Sequence, residues 1–340
     1  MIKTLSSWRG IMVIVIILFH TPLPLLNHAT HMGVSLFIVM SGALLSMRHG
    51  LVSCSYREWI LPRASKMYGM HWAALAFIAL MQLPYGEFHL TGTLPLNIAL
   101  LHPWVLDESV IFSYNIPAWF LGTLLACYAL YPLLSKALAR MGLRWAWTVA
   151  IVLTLVQFIL LETLPQATVN CLYAFPPSRL CDFFWGMTLG ASLPAIDACA
   201  GKRIRSHANI TELTTIIVIA ATLAAAHMWS HDTGCIDVTP WIVPSSLIIV
   251  MCVMLNSCEG FVGKVMRSRP LVWLGSISLE LFVLAMPVAY LYSHYMAGLP
   301  AHWGFMQFYD ISWPITLPLT ILIAAGVHRL TKKKNTSTAA

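Results

Sequence analysis

WRGIMVIVIILFH, residues 8–20, carries an arginine and a histidine at the two ends of an otherwise apolar run, with ten residues between Arg9 and His20. Charge and imidazole are expensive at membrane depth, so such a pair points to a reaction rather than to packing. Eleven helical steps of about 100° make three turns plus roughly 20°, which sets both side chains on one face about 16 Å apart along the axis. One helix therefore carries a cation near one membrane surface and a titratable base deep toward the other.

The rest of the chain supplies the same solvent. Hydrophobic residues make up 59% of it, charged residues only 10%, and the mean hydropathy is +0.76, which excludes a water-soluble globule. Ten apolar stretches, near residues 9–26, 32–48, 65–83, 117–136, 143–161, 180–196, 211–229, 241–257, 271–293 and 310–329, approach the roughly 20 residues that cross a bilayer core. The expected architecture is an all-α polytopic membrane protein, a bundle of about ten transmembrane helices formed by residues 1–331, with 332–340 as a basic disordered cytoplasmic tail. The loops test the orientation, because Lys and Arg gather on the cytoplasmic side of short connections. With both termini inside, 19 of the 20 basic residues fall on that side and only Arg179 lies outside. The net charge of +7 is thus explained by topology, with no need for nucleic acid as a partner. The first apolar run lacks a small-residue cleavage site, so it is expected to stay as a span rather than be removed as a signal peptide.

The longest outer loop, about 84 to 116, contains no Lys or Arg but has Pro84, Pro95 and Pro103, and is expected to fold as re-entrant or interfacial structure over the bundle mouth. Eight cysteines show no ligand spacing, and a disulfide from Cys171 to Cys181 or Cys235 is open on the outer side. His28 and His31 sit in an outer loop, and His227 and His231 stand one turn apart before Asp232, but without the Glu of a zinc-hydrolase helix no metal is expected.

Polar residues inside the apolar stretches mark the candidate site. Ser41-Gly42 in GVSLFIVMSGALLS fits close helix packing, or a hydroxyl lining a cavity. Arg63 and Lys66 in LPRASKMYGMHW lie one turn apart at the cytoplasmic edge, in the company of Tyr68, His71 and Trp72. Asn115 and Pro117 shape the entry to the fourth span, where Trp119 reads as an interfacial aromatic. Arg179 and Asp182, spaced i,i+3, fit a local ion pair, yet Arg179 stands against the orientation rule. Glu280 lies eleven residues past Arg269, the interval that separates Arg9 from His20, so two spans starting at similar depth would bring Glu280 level with His20 to orient its imidazole.

Six segments occur in one order: Arg9 with ten residues and then His20, GVSLFIVMSG, RASKMYGMHW, PAWFLGTLL with LYPLL, RLCDFFWGM, and GSISLELFVLAMPV. In that order and topology the chain resembles the integral-membrane acyltransferase family of type 3, whose members acylate bacterial surface glycans and other small acceptors. The resemblance implies a multi-pass protein of the bacterial inner membrane that transfers an acyl group, acetyl by default, to a hydroxyl. It makes His20 the catalytic histidine, Arg9 its partner, and Arg63 a residue of donor handling. The chain departs from the pattern at Lys66, commonly Arg, which keeps charge but loses the forked geometry suited to phosphate, and at Ala285 and Met286, where a histidine often precedes the proline.

The implied donor is cytoplasmic acyl-coenzyme A, acetyl-CoA in the default case, held by Arg9, Arg63 and Lys66 near Ser41. The implied acceptor is an exported or lipid-linked glycan on the side of Asn115, Trp119, Arg179 and Asp182, with His20 as general base and Glu280 assisting it. No bound cofactor is expected. The alternatives are a transporter, which would also use intramembrane ionisable groups, and a non-catalytic membrane partner; the chain shows no inverted repeat of the kind many transporters carry.

Overall fold

The computed structural model describes residues 2–19, 29–83, 88, 90–229, 239–256, 260–292 and 305–337. His20, His28, Pro84, His231, Asp232 and Cys235 lie outside them. Every regular element among the described residues is helical: α1 (Lys3–Phe19), α2 (Ala29–His49), α3 (Tyr56–Gln82), α4 (Leu94–Ile98), α5 (Glu108–Ile111), α6 (Ala118–Thr163), α7 (Gln166–Ala174) and α8 (Pro176–Ile196) in the first part. There follow α9 (Lys202–Ser206), α10 (Ala208–Trp229), α11 (Ile242–Met254), α12 (Phe261–Met266), α13 (Arg269–Ser276), α14 (Ser278–Leu291) and α15 (Phe305–Ser337). Four helices among the described residues are long and apolar enough to cross a membrane, or five if the bent pair α13 and α14 counts as one span. The chain is an all-α membrane protein.

Chain breaks sit where the sequence demands them. Ser55 starts α3 with a reciprocal cap: its hydroxyl accepts from the Glu58 amide and the Glu58 carboxylate from the Ser55 amide. The 46-residue α6 is two helices joined at Gly142, whose φ of 73° lies in the left-handed region open to glycine. Its contacts with the end of α7 and with α8 show the reversal. Thr123 Oγ1 donates to the Ala174 carbonyl at 2.7 Å and Tyr131 meets Phe183 further along, whereas past the break Trp147 donates to Ser192 and Gln157 returns to the Ser178 carbonyl at 3.0 Å. The separate stretches expected at 117–136 and 143–161 thus appear as an antiparallel hairpin.

In lipid, apolar side chains gain little by choosing one another over acyl chains, so close backbone packing decides which helices pair. α2 and α8 cross through glycines: a methyl group at Gly42, Gly186 or Gly190 would collide with the carbonyls of Phe183, Val39 and Ala43 respectively. α13 meets α1 in the same way, with Gly275 against the Ser6 carbonyl.

The loop after α3 folds back down the bundle, in line with the re-entrant expectation. Tyr68, His71 and Trp72, on one face of α3, bond to the carbonyls of Ala99, Asn97 and Ile98 at 2.8, 2.8 and 2.9 Å. His71 is eleven residues before the end of α3, so the loop descends about 16 Å along that axis. These three side chains therefore clamp the loop rather than join Arg63 and Lys66 as the sequence suggested. One further expectation changes. Cys171 and Cys181 are free thiols, so no bridge joins them, and Cys181 instead turns to its own helix at the Pro177 carbonyl. The last helix runs through Ser337.

Candidate functional site

One cavity of about 510 Å³ opens where α2 ends and α3 begins. It gathers Arg9 from α1, Ser41, Arg48 and His49 from α2, Arg63 and Lys66 from α3, Tyr128 from α6 and Ser278 from α14. Deeper in, Val13, Phe37, Met40, Leu44, Phe120, Leu124 and Phe282 make its wall apolar. No carboxylate is among its lining residues, so the basic groups at the mouth attract anions. The volume suits a flexible molecule with a charged head and an apolar tail.

Each polar group is held by its own element. Arg9 Nη2 donates to the Ser278 hydroxyl at 3.0 Å, which fixes the guanidinium against the first turn of α14. Ser41 Oγ donates to the Phe37 carbonyl at 2.7 Å, one turn back on α2. Both readings of the Ser41-Gly42 pair hold, since Ser41 lines the cavity while Gly42 admits α8. Arg63 lies over the Trp59 indole with its Cζ 3.5 Å from the ring centroid.

Glu280 sits elsewhere than its spacing implied. The chain bends by 68° between α13 and α14, so eleven residues past Arg269 do not add up along one axis. Glu280 is two residues beyond Ser278, the partner of Arg9, and thus stands level with Arg9 rather than a helix half-length above it. Its Oε1 accepts from His328 Nδ1 at 2.8 Å, and the carboxylate is close enough to attract the Arg9 guanidinium. The expected pairing of Glu280 with His20 falls outside the described residues.

Asn115, Trp119, Arg179 and Asp182 also come together. Asn115 donates to the Val283 carbonyl at 3.3 Å, and Trp119 packs on Tyr173 with ring centroids 5.1 Å apart. Arg179 pairs with Asp182 at 3.1 Å, donates from Nε to the Tyr173 carbonyl and covers the Tyr173 ring. All four are buried, Arg179 and Asp182 completely, so Trp119 is not part of an interfacial belt. A layer of aromatic rings, Phe37 on Phe120 and Phe120 on Phe282, separates this cluster from the cavity, and Trp119 touches it from the other side.

Sequence reasoning missed Arg48, His49, Tyr128, Ser278, His328 and Tyr173. Arg48 and His49 were hidden by the orientation rule, which accounts for any base at that edge. Tyr128 offered a faint signal as a hydroxyl within the apolar ACYALYPLL.

A family model described as an acyltransferase domain matches residues 2–328. Acyltransferase MdmB of Streptomyces mycarofaciens is 24% identical over 301 residues, which cover 80% of this chain and 72% of that protein. No solved structure gives a significant match.

Proposed function

The chain belongs to this acyltransferase family, and from that premise we propose that it is a membrane-embedded O-acyltransferase, most simply an O-acetyltransferase, of the bacterial inner membrane. In this reading ten spans place both termini in the cytoplasm, acyl-CoA enters from that side, and the acceptor is a hydroxyl of a cell-surface or lipid-linked glycan. The observation that carries it is the single cavity that joins Arg9, Arg48, Arg63 and Lys66 at its mouth to an apolar interior beside Ser41. Phosphates of the donor match the basic mouth, and the pantetheine arm and acyl group match the interior.

Arg9 and Val13 line the cavity one helical turn apart, and His20 follows Arg9 by eleven residues in the sequence. In this reading His20 acts as general base. It takes the acceptor's hydroxyl proton as the oxygen attacks the thioester carbonyl; collapse of the tetrahedral intermediate breaks the C–S bond, and the leaving thiolate takes that proton. Arg9, neutralised in part by Glu280 and held by Ser278, keeps α1 in register with α14. Asn115, Trp119, Arg179 and Asp182 act on the acceptor through the wall they hold, above all through Tyr173, because they are themselves buried.

The test supplies radiolabelled acetyl-CoA to membranes that contain the protein and a glycan-lipid extract. Label should pass to a glycan or lipid-linked sugar, and an Arg63→Ala variant should need about tenfold more donor for the same rate. No labelled acceptor at any donor concentration, alongside accumulation of a substrate inside vesicles, would move the reading to a transporter.

A further inference from the structure

Arg63 is restrained more than a surface arginine needs to be. Trp59 covers one face of its guanidinium, the Trp59 carbonyl accepts from Nη1 at 2.6 Å, and Nη2 faces His49 Nε2 at 3.4 Å. For that last contact to be a hydrogen bond, the His49 nitrogen must be the acceptor, hence unprotonated. The His49 ring also meets Trp59 edge-on, at 5.2 Å and 86°.

Trp59 in turn is anchored on all sides. It is 2% exposed and lies behind Arg63, outside the cavity lining. Its indole N–H donates to the Tyr128 carbonyl at 2.7 Å, and its ring stacks on Tyr131 at 4.9 Å with 15° between planes. The Tyr131 hydroxyl lies within hydrogen-bond distance of the Leu45 and Gly50 carbonyls, at 2.9 and 2.8 Å, which ties in the end of α2. Three helices therefore converge on the indole, and the indole converges on one cation.

A guanidinium has two faces and five N–H groups in its plane. Here one face and the bonds to Trp59 and His49 are committed to the protein, and Arg63 lines the cavity with what remains. We propose that Trp59 and His49 are positioning residues that hold Arg63 in place to receive the phosphates of the acyl donor. The inference rests on the donor reading above and adds to it two residues that touch no reacting atom. Preorganisation of this kind lowers the ordering cost of binding, so it acts on donor affinity and leaves the chemical step alone.

The test is a double-mutant cycle on the full chain in detergent, with coenzyme A binding measured by titration calorimetry. Trp59→Leu should weaken binding about tenfold, Trp59→Phe, which keeps an aromatic face, about threefold, and His49→Ala about threefold. In an Arg63→Ala background none of these should weaken binding further, because the residue they act through is gone. In turnover, KM for acetyl-CoA should rise while kcat stays within about twofold. Equal losses with and without Arg63, or unchanged affinity in every variant, would overturn the positioning role. Should Trp59→Leu not fold, Trp59→Phe and His49→Ala, the latter exposed at the end of α2, decide the question. Absence of coenzyme A binding by the wild-type chain would instead sink the donor reading itself.

Discussion

Arg179 and Asp182 show what a pair of charges costs and returns when water is excluded from both. Each is fully buried and spaced i,i+3 on α8, so the bland reading of a local ion pair is what the fold uses, although its burial was not visible from the spacing. Removing one member strands the other. Arg179→Ala should therefore cost about 3–5 kcal/mol in unfolding free energy, while the apolar double replacement Arg179→Met with Asp182→Leu should cost much less. Denaturant unfolding in detergent measures both, and a single variant as stable as the wild type would show that the charges do not need each other.

His102, in the loop that follows α3, is a second test at this scale. Burial first, and the His71 ring 6.4 Å away second, keep its imidazole neutral down to about 4 against an ordinary value near 6.5. The unfolded chain then binds that proton more readily than the folded one. The stability contributed by the neutral ring is complete above about 6.5 and is lost as pH falls toward 4, by at most about 3 kcal/mol. Melting curves at neutral and mildly acidic pH should show a smaller acid-induced drop for His102→Gln than for the wild type; identical drops would assign the acid sensitivity to other groups.

Single residues were legible where they broke a rule. Arg9, Ser41, Arg63 and Lys66 stood out as polar groups in or beside apolar runs, and they meet in one cavity. Arg48 and His49 were not legible because a general rule already explained them. The Glu280–His328 bond spans 48 positions and joins two helices whose register no local pattern fixes.

At the scale of elements, helices occupy the apolar stretches among the described residues, and four or five of these helices are long and apolar enough to cross a membrane. The Gly142 reversal agrees with a boundary placed by composition alone. The bend at Ile277 was missed, and with it the height of Glu280, although Gly275-Ser276 just before the break is a pair at which helices kink. Helix pairing was equally hidden: glycines announce a close approach but not a partner. That pairing is now testable, as Gly186→Leu would drive a side chain into the Val39 backbone. The variant should be destabilised by about 3 kcal/mol or more, with loss of monodisperse protein in size-exclusion chromatography, while Gly69→Leu, facing open space on α3, should behave as wild type. Equal behaviour of the two would remove the close α2–α8 crossing from the account.

At the scale of the whole molecule, the helices frame one passage: a basic mouth, an apolar chamber, a layer of phenylalanines, and a buried polar cluster beyond it. In the proposed reading the donor is held at the basic mouth and the acceptor lies beyond the phenylalanines. The central claim is that His20 performs the proton transfer. Mass spectrometry of surface glycans from cells expressing wild-type protein or His20→Ala, at equal membrane abundance, tests it most directly. The account predicts an acyl mass increment with the wild type and none with the variant; an increment of equal size in both would contradict it and remove His20 as the base.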